Sequence, residues 1–177
     1  MSQPPLGAAA AAGGPRQPAV GSLCDEDIEL ILRLQEDRAA RVILMTDGDH
    51  AFELRRNIDG IAQARSGGLG FEAVSADGDA ARRVVTLVEE LEKPVVTATR
   101  GAIRSAGLGL FLASDLRIAS TTATFTLPDL SCGLLPDWGL TAVLPQLVGP
   151  GRTLDLLWSG RTLGAAEAGA IGLVDRI

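Results

Sequence analysis

The stretch Lys93–Gly139 constrains this chain more than any other: KPVVTATRGAIRSAGLGLFLASDLRIAS runs directly into TTATFTLPDLSCGLLPDWG. Val95–Thr99, opened by Pro94, has the apolar character of a buried strand. Gly101–Ser105 reads as a loop of mostly small residues and Ala106–Ser114 as a buried helix. Leu116–Ala119 and Thr124–Thr126 read as further short strands, with a turn at Pro128-Asp129. Short apolar strands separated by helical segments predict an α/β fold, a parallel sheet covered by helices. A small-residue loop that opens a helix also aims backbone N–H groups at any negative charge that develops beside it.

The flanking sequence extends this pattern. Apolar residues in Leu23–Arg38 recur on one face with acids between them, predicting a helix capped by Ser22, and Arg41–Thr46 predicts a strand. Residues 53–78 mix charges with a Gly67-Gly68-Leu69-Gly70 cluster and predict a loop with a short helix near Ile58–Ala64. Helical spacing resumes over Asp79–Leu91, and further helices are expected at Leu140–Leu147, Gly151–Trp158 and Gly164–Ala170. The Ala/Pro/Gly-rich residues 1–20 are expected to be flexible, leaving 21–177 as one domain. Aromatics are only 3% of the chain against 46% hydrophobic residues, so the core should be built from Ala, Val, Leu and Ile, with Trp138 and Trp158 as packing residues.

Charge and motifs exclude several functions. A net charge of -6 argues against nucleic acid or an anionic membrane as the partner. No segment has the length and apolarity of a membrane span, and the Pro-interrupted start lacks the basic residues of a leader. Cys24 and Cys132 read as lone buried thiols, which suits a reducing cytoplasm. His50 reads as an exposed turn residue without the partners a metal site needs. Gly101, Gly107 and Gly109 are accompanied by neither a Walker lysine nor a dinucleotide fingerprint, so they read as close-packing positions.

In their order and spacing, RVILMTDGDHAF, KPVV, the Gly-rich turn, SDLRIAS, ATFTLPDLSCGLLPDWG, LPQLVG, SGRTL, AAEA and GLVDRI resemble the crotonase superfamily of enoyl-CoA hydratases and isomerases. The similarity covers nearly all of Leu23–Ile177. It implies a crotonase-like (ClpP/crotonase) fold of repeated strand-strand-helix units. It also implies an acyl-CoA or related acyl thioester as substrate, with coenzyme A carried on the substrate and no prosthetic group. An enolate would be held in an oxyanion hole of two backbone amides. By position these amides belong to Leu54 and Ala106, the latter beside Gly107. Arg55 and Arg56 would stand near the adenosine phosphates, and Trp138 would line the acyl pocket.

Departures from the family pattern matter as much. ELRRN replaces the usual small residues at the first amide, and Gly109 stands where hydratases carry the first of two carboxylates. The second carboxylate position matches Asp129, and Asp137 is a further candidate near the substrate. A single carboxylate still moves a proton between carbons two apart, so the resemblance implies an isomerase-like reaction rather than two-carboxylate hydration. The alternative is a catalytically degenerate accessory or binding subunit. A serine-protease reading of Ser105 lacks a downstream histidine. The family usually continues with helices after GLVDRI, so either another subunit is expected to shield the apolar surface they would cover or this is a truncated form; the resemblance implies a homo-oligomer, a trimer or paired trimers, or a partner subunit.

Overall fold

In the computed structural model, which describes residues 25–46, 82–127, 130 and 135–177, two small sheets share the helices between them. The first is wholly parallel, in the order β1 (Ile43–Thr46), β2 (Val95–Thr99), β4 (Leu116–Ala119). Its register pairs Met45 with Thr97 and Thr97 with Arg117. Alternate residues of β2, Val95, Thr97 and Thr99, are buried on one face, as the period of two in VVTAT demands. The second sheet runs β3 (Ala102–Arg104), β5 (Thr124–Thr126), β6 (Thr162–Gly164), with β3 parallel and β6 antiparallel to β5. The expected loop at Gly101–Ser105 is therefore corrected: its centre is a strand, held by backbone pairing to Thr124–Thr126 that a three-residue stretch does not advertise. The second sheet is correspondingly mixed.

Helices lie close to where periodicity placed them. They are α1 (Asp25–Glu36), α2 (helical over 82–89), α3 (Ala106–Leu112), α4 (Leu140–Val148), α5 (Pro150–Ser159) and α6 (Ala165–Ala170). Lys93 accounts for one junction: its ammonium donates to the carbonyls of Leu34 and Asp37 at the C-terminal end of α1, where carbonyls lack helical partners. Asp115 fixes another, accepting the Val95 N–H at 2.7 Å while its own N–H returns to Val95 O at 3.0 Å.

Two apolar clusters fill the interior. The larger packs α3, α4, α5 and α6 on the second sheet, with Phe111 and Phe125 rings 5.5 Å apart at its centre. The smaller joins Ile31 of α1, Ile43 and Met45 of β1, Val84, Val85 and Val88 of α2, Val95, Leu110 and Trp138. Trp158 corrects its expectation as a packing residue: it is 72% exposed on α5, four residues after the exposed Leu154. The spacing points both side chains outward on one face of the helix.

The chain end is clamped to β4 by Arg117. Its guanidinium pairs with Asp175 (Nη2 to Oδ2, 2.9 Å) and donates through Nη1 to Ser114 O at 3.0 Å, while its backbone N–H donates to Asp175 Oδ2 at 2.8 Å. The N–H groups of Asp175 and Arg176 return to Arg117 O. Asp175→Ala leaves a guanidinium that is only 9% exposed with its ion partner gone, and the expected loss of stability is about 2 kcal/mol, reduced from a fully buried pair because Asp175 is one-third exposed. Urea denaturation of the two proteins measures it.

Candidate functional site

β3 ends at Arg104, and the chain turns into α3 through Ser105, whose φ of 42° and ψ of -110° lie in a region that favours glycine. That turn is held from both sides. Ser105 N–H donates to Thr126 O of the neighbouring strand at 3.2 Å, and Ser105 O accepts from Leu108 and Gly109 N–H at 3.0 and 3.2 Å. Helical bonding thus begins at Leu108, and the amides of Ala106 and Gly107 occupy the first two helical positions, which have no intrahelical acceptor. Both donors sit on a rigid strand-to-helix junction, and Gly107 is buried.

The second part of the site is the turn before α4. Trp138 and Gly139 are consecutive left-handed residues, φ 53° and 73°, and Leu140 N–H closes the turn on Asp137 O at 3.0 Å. The conformation costs Trp138 about 1 kcal/mol and suits Gly139. Its effect is to lay the Trp138 backbone directly on α3. A Cβ on Gly109 would stand 2.3 Å from Trp138 Cβ and 2.4 Å from Trp138 O, well inside contact distance. Glycine at 109 is thus what lets the turn approach the helix. Asp137, half-buried with Oδ2 shielded from solvent, is carried to this crossing by the same turn.

From the crossing the indole of Trp138 enters the smaller apolar cluster, 6% exposed, beside Val84, Val85 and Val88 of α2 and Met45 and Val95 of the first sheet. Its Nε1–H is buried and makes no hydrogen bond. Thr97, fully buried between Met45 and Arg117 in the register of the same sheet, has an Oγ1 in the same condition. Among the described residues no group of three or more His, Cys, Asp and Glu is placed to hold a metal, and no helix is long and apolar enough to cross a membrane. A depression of about 310 Å³ on α2, lined by Arg82, Arg83, Thr86, Leu87 and Glu90, uses side chains other than the valines that face Trp138 and takes no part in the site.

A sequence model described as enoyl-CoA hydratase/isomerase matches residues 20–177. The chain belongs to the enoyl-CoA hydratase/isomerase family. It is similar to the crotonyl-CoA hydratase of Syntrophomonas wolfei, 31% identical over 156 residues that cover 84% of this chain and 56% of the relative. It is equally similar to the carnitinyl-CoA dehydratase of Citrobacter koseri, 31% identical over 84% of this chain and 55% of that protein. The crystal structure of an enoyl-CoA hydratase from Bacillus anthracis superposes with a TM-score of 0.75 at 30% identity, over 86% of this chain and 57% of the other. The fold is therefore the crotonase fold, and the chain spans little more than half the length of these relatives.

Against this family frame, the sequence-predicted residues divide into two sets. Ala106, Gly107, Asp137 and Trp138 are described, and the last two share the turn that crosses α3 one helical turn beyond Ser105. Leu54, Arg55, Arg56 and Asp129 lie outside the described residues, as do His50, Cys24 and Cys132. Sequence reasoning did not single out Thr97, a hydroxyl at an inward position of β2 that is buried without a hydrogen-bond partner. It also missed that Trp138 fills the space beside Gly109.

Proposed function

We propose that this chain acts on an acyl-CoA thioester by enolate stabilisation, with one carboxylate moving the proton, as a double-bond isomerase rather than a hydratase. Removing a proton from C2 of a 3-enoyl thioester places negative charge on the thioester oxygen. The amide of Ala106, paired with that of Leu54 as the family pattern implies, would hold that charge, each such donor contributing a factor of about 10² to 10³ in rate. The same carboxylate would then return the proton to C4, giving the conjugated 2-enoyl product with no net gain or loss of atoms.

The observation that carries this reading is the contact between Gly109 and Trp138. Hydration by the usual pair needs a second carboxylate at position 109, and that position has neither a side chain nor room for one. Asp129, the carboxylate that the family pattern implies, and Asp137, whose turn lies against α3 at Gly109, remain as proton carriers. The missing carboxylate equally suits a non-catalytic subunit that binds thioesters. Incubating the purified protein with a 3-enoyl-CoA and with crotonyl-CoA, while following enoyl absorbance, separates the readings. Conjugation of the first without hydration of the second is the expected result. Binding without turnover supports the subunit, and hydration of crotonyl-CoA at a rate comparable to isomerisation overturns the one-carboxylate scheme.

A further inference from the structure

Resting on the thioester reading above, we propose that the Ser105 hydroxyl is a further hydrogen-bond donor to the thioester oxygen, acting beside the Ala106 amide as negative charge develops there. Ser105 is only 8% exposed, and among the described residues its Oγ has no hydrogen-bond partner, in the cap of α3 or elsewhere. The backbone of the same residue is fully engaged: its N–H donates to Thr126 O, and its carbonyl accepts from Leu108 and Gly109. Thr97 Oγ1 and Trp138 Nε1 also lack partners but are closed to solvent, whereas Ser105 Oγ is not, so a ligand atom can reach it. Native proteins leave few polar groups in this condition, and each calls for a reason.

The backbone sharpens the question. At φ 42° and ψ -110° glycine is accommodated freely and a residue with a Cβ is strained, so the turn itself does not select serine. Capping does not select it either, because the side chain bonds no amide of the first helical turn. What remains is the hydroxyl, and covalent geometry fixes its place. At this ψ the Cβ nearly eclipses the Ala106 nitrogen, which holds Oγ within about 4 Å of that donor in every rotamer. One acceptor can therefore take both the Ala106 N–H and the Ser105 O–H. An enolate oxygen suits such a pair, since bonds to an ionised acceptor are roughly twice as strong as those to a neutral one. A donor, unlike a nucleophile, needs no base beside it.

Isothermal titration of the whole chain with butanoyl-CoA and with acetoacetyl-CoA, whose 3-oxo group lets it form an enolate readily, tests the proposal. The native protein is expected to bind acetoacetyl-CoA the more tightly. Ser105→Ala and Ser105→Gly both remove the hydroxyl, and each should reduce that preference by about tenfold. Each should also lower kcat for 3-enoyl-CoA isomerisation by about 10²-fold. Ser105→Gly relieves the backbone as well, so its melting temperature should stay close to native or rise, which the loss of a merely structural serine would not give. Should Ser105→Ala fail to fold, Ser105→Gly decides alone. A preference undiminished in either folded variant overturns the role of the hydroxyl and leaves the thioester reading intact. Equal native affinity for the two thioesters overturns enolate stabilisation and the further donor together, and a native protein that binds neither overturns the thioester reading with them.

Discussion

Gly109→Glu, which places a carboxylate where the family resemblance implies hydratases carry one, is expected to destabilise the protein by about 3 kcal/mol and to confer no hydration of crotonyl-CoA. The first heavy atom of the new side chain would fall 2.3 Å from Trp138 Cβ and 2.4 Å from Trp138 O. One of those contacts is backbone, so no rotamer change relieves it. Either α3 moves away from the Asp137–Gly139 turn or the turn gives up its left-handed conformation. The turn is held by the Leu140 N–H bond and by Val85 packed against Gly139, where an added Cβ would already be 3.1 Å from Val85 Cγ1. In a chain of this length, 3 kcal/mol lowers the melting temperature by roughly 6–12 °C. Calorimetry measures that shift. A variant that melts with the native protein and hydrates crotonyl-CoA would show that the turn does not close over position 109.

Asp137→Asn is expected to lower kcat for 3-enoyl-CoA isomerisation by about 10²- to 10⁴-fold, the usual contribution of a positioned acid-base group. The amide retains the size of the carboxylate. The turn it belongs to is closed by the backbone carbonyl of residue 137, which the substitution leaves in place, so the melting temperature should stay close to native. That separation of activity from stability distinguishes a proton carrier from a turn-former, whose loss would move the melting temperature and leave kcat nearly constant. Asp129→Asn, assayed in parallel, assigns the proton between the two carboxylates: whichever substitution removes turnover with little change in KM identifies the carrier. If both variants turn over at the native rate, the one-carboxylate mechanism fails.

How far the sequence reached is clearest at β2 and β3. Val95–Thr99 was legible because its alternation follows one buried face of a strand whose neighbours on both sides are themselves short apolar runs. Ala102–Arg104 was not, because three residues beside a glycine carry too little period, and only pairing with Thr124–Thr126 makes them a strand. β6 escaped for the same reason, appearing as the lead-in to a helix. Trp158 was misassigned because a large aromatic is buried more often than not, yet its place on α5 turns it outward with Leu154.

The site divides along the same line. The small-residue junction at Ser105–Gly107 could be read from the chain, since a strand that must turn sharply into a helix selects such residues. Family membership could be read from the order of its motifs. Residue types alone did not reveal what packs against Gly109. The approach of Trp138 to Gly109 joins segments remote in sequence, and it depends on a left-handed turn and on how α3 packs against it. Periodicity and turn chemistry act between near neighbours along a chain, so they set elements and junctions. Which backbone lies against which glycine, and which buried donor is left without an acceptor, is decided only when those elements pack.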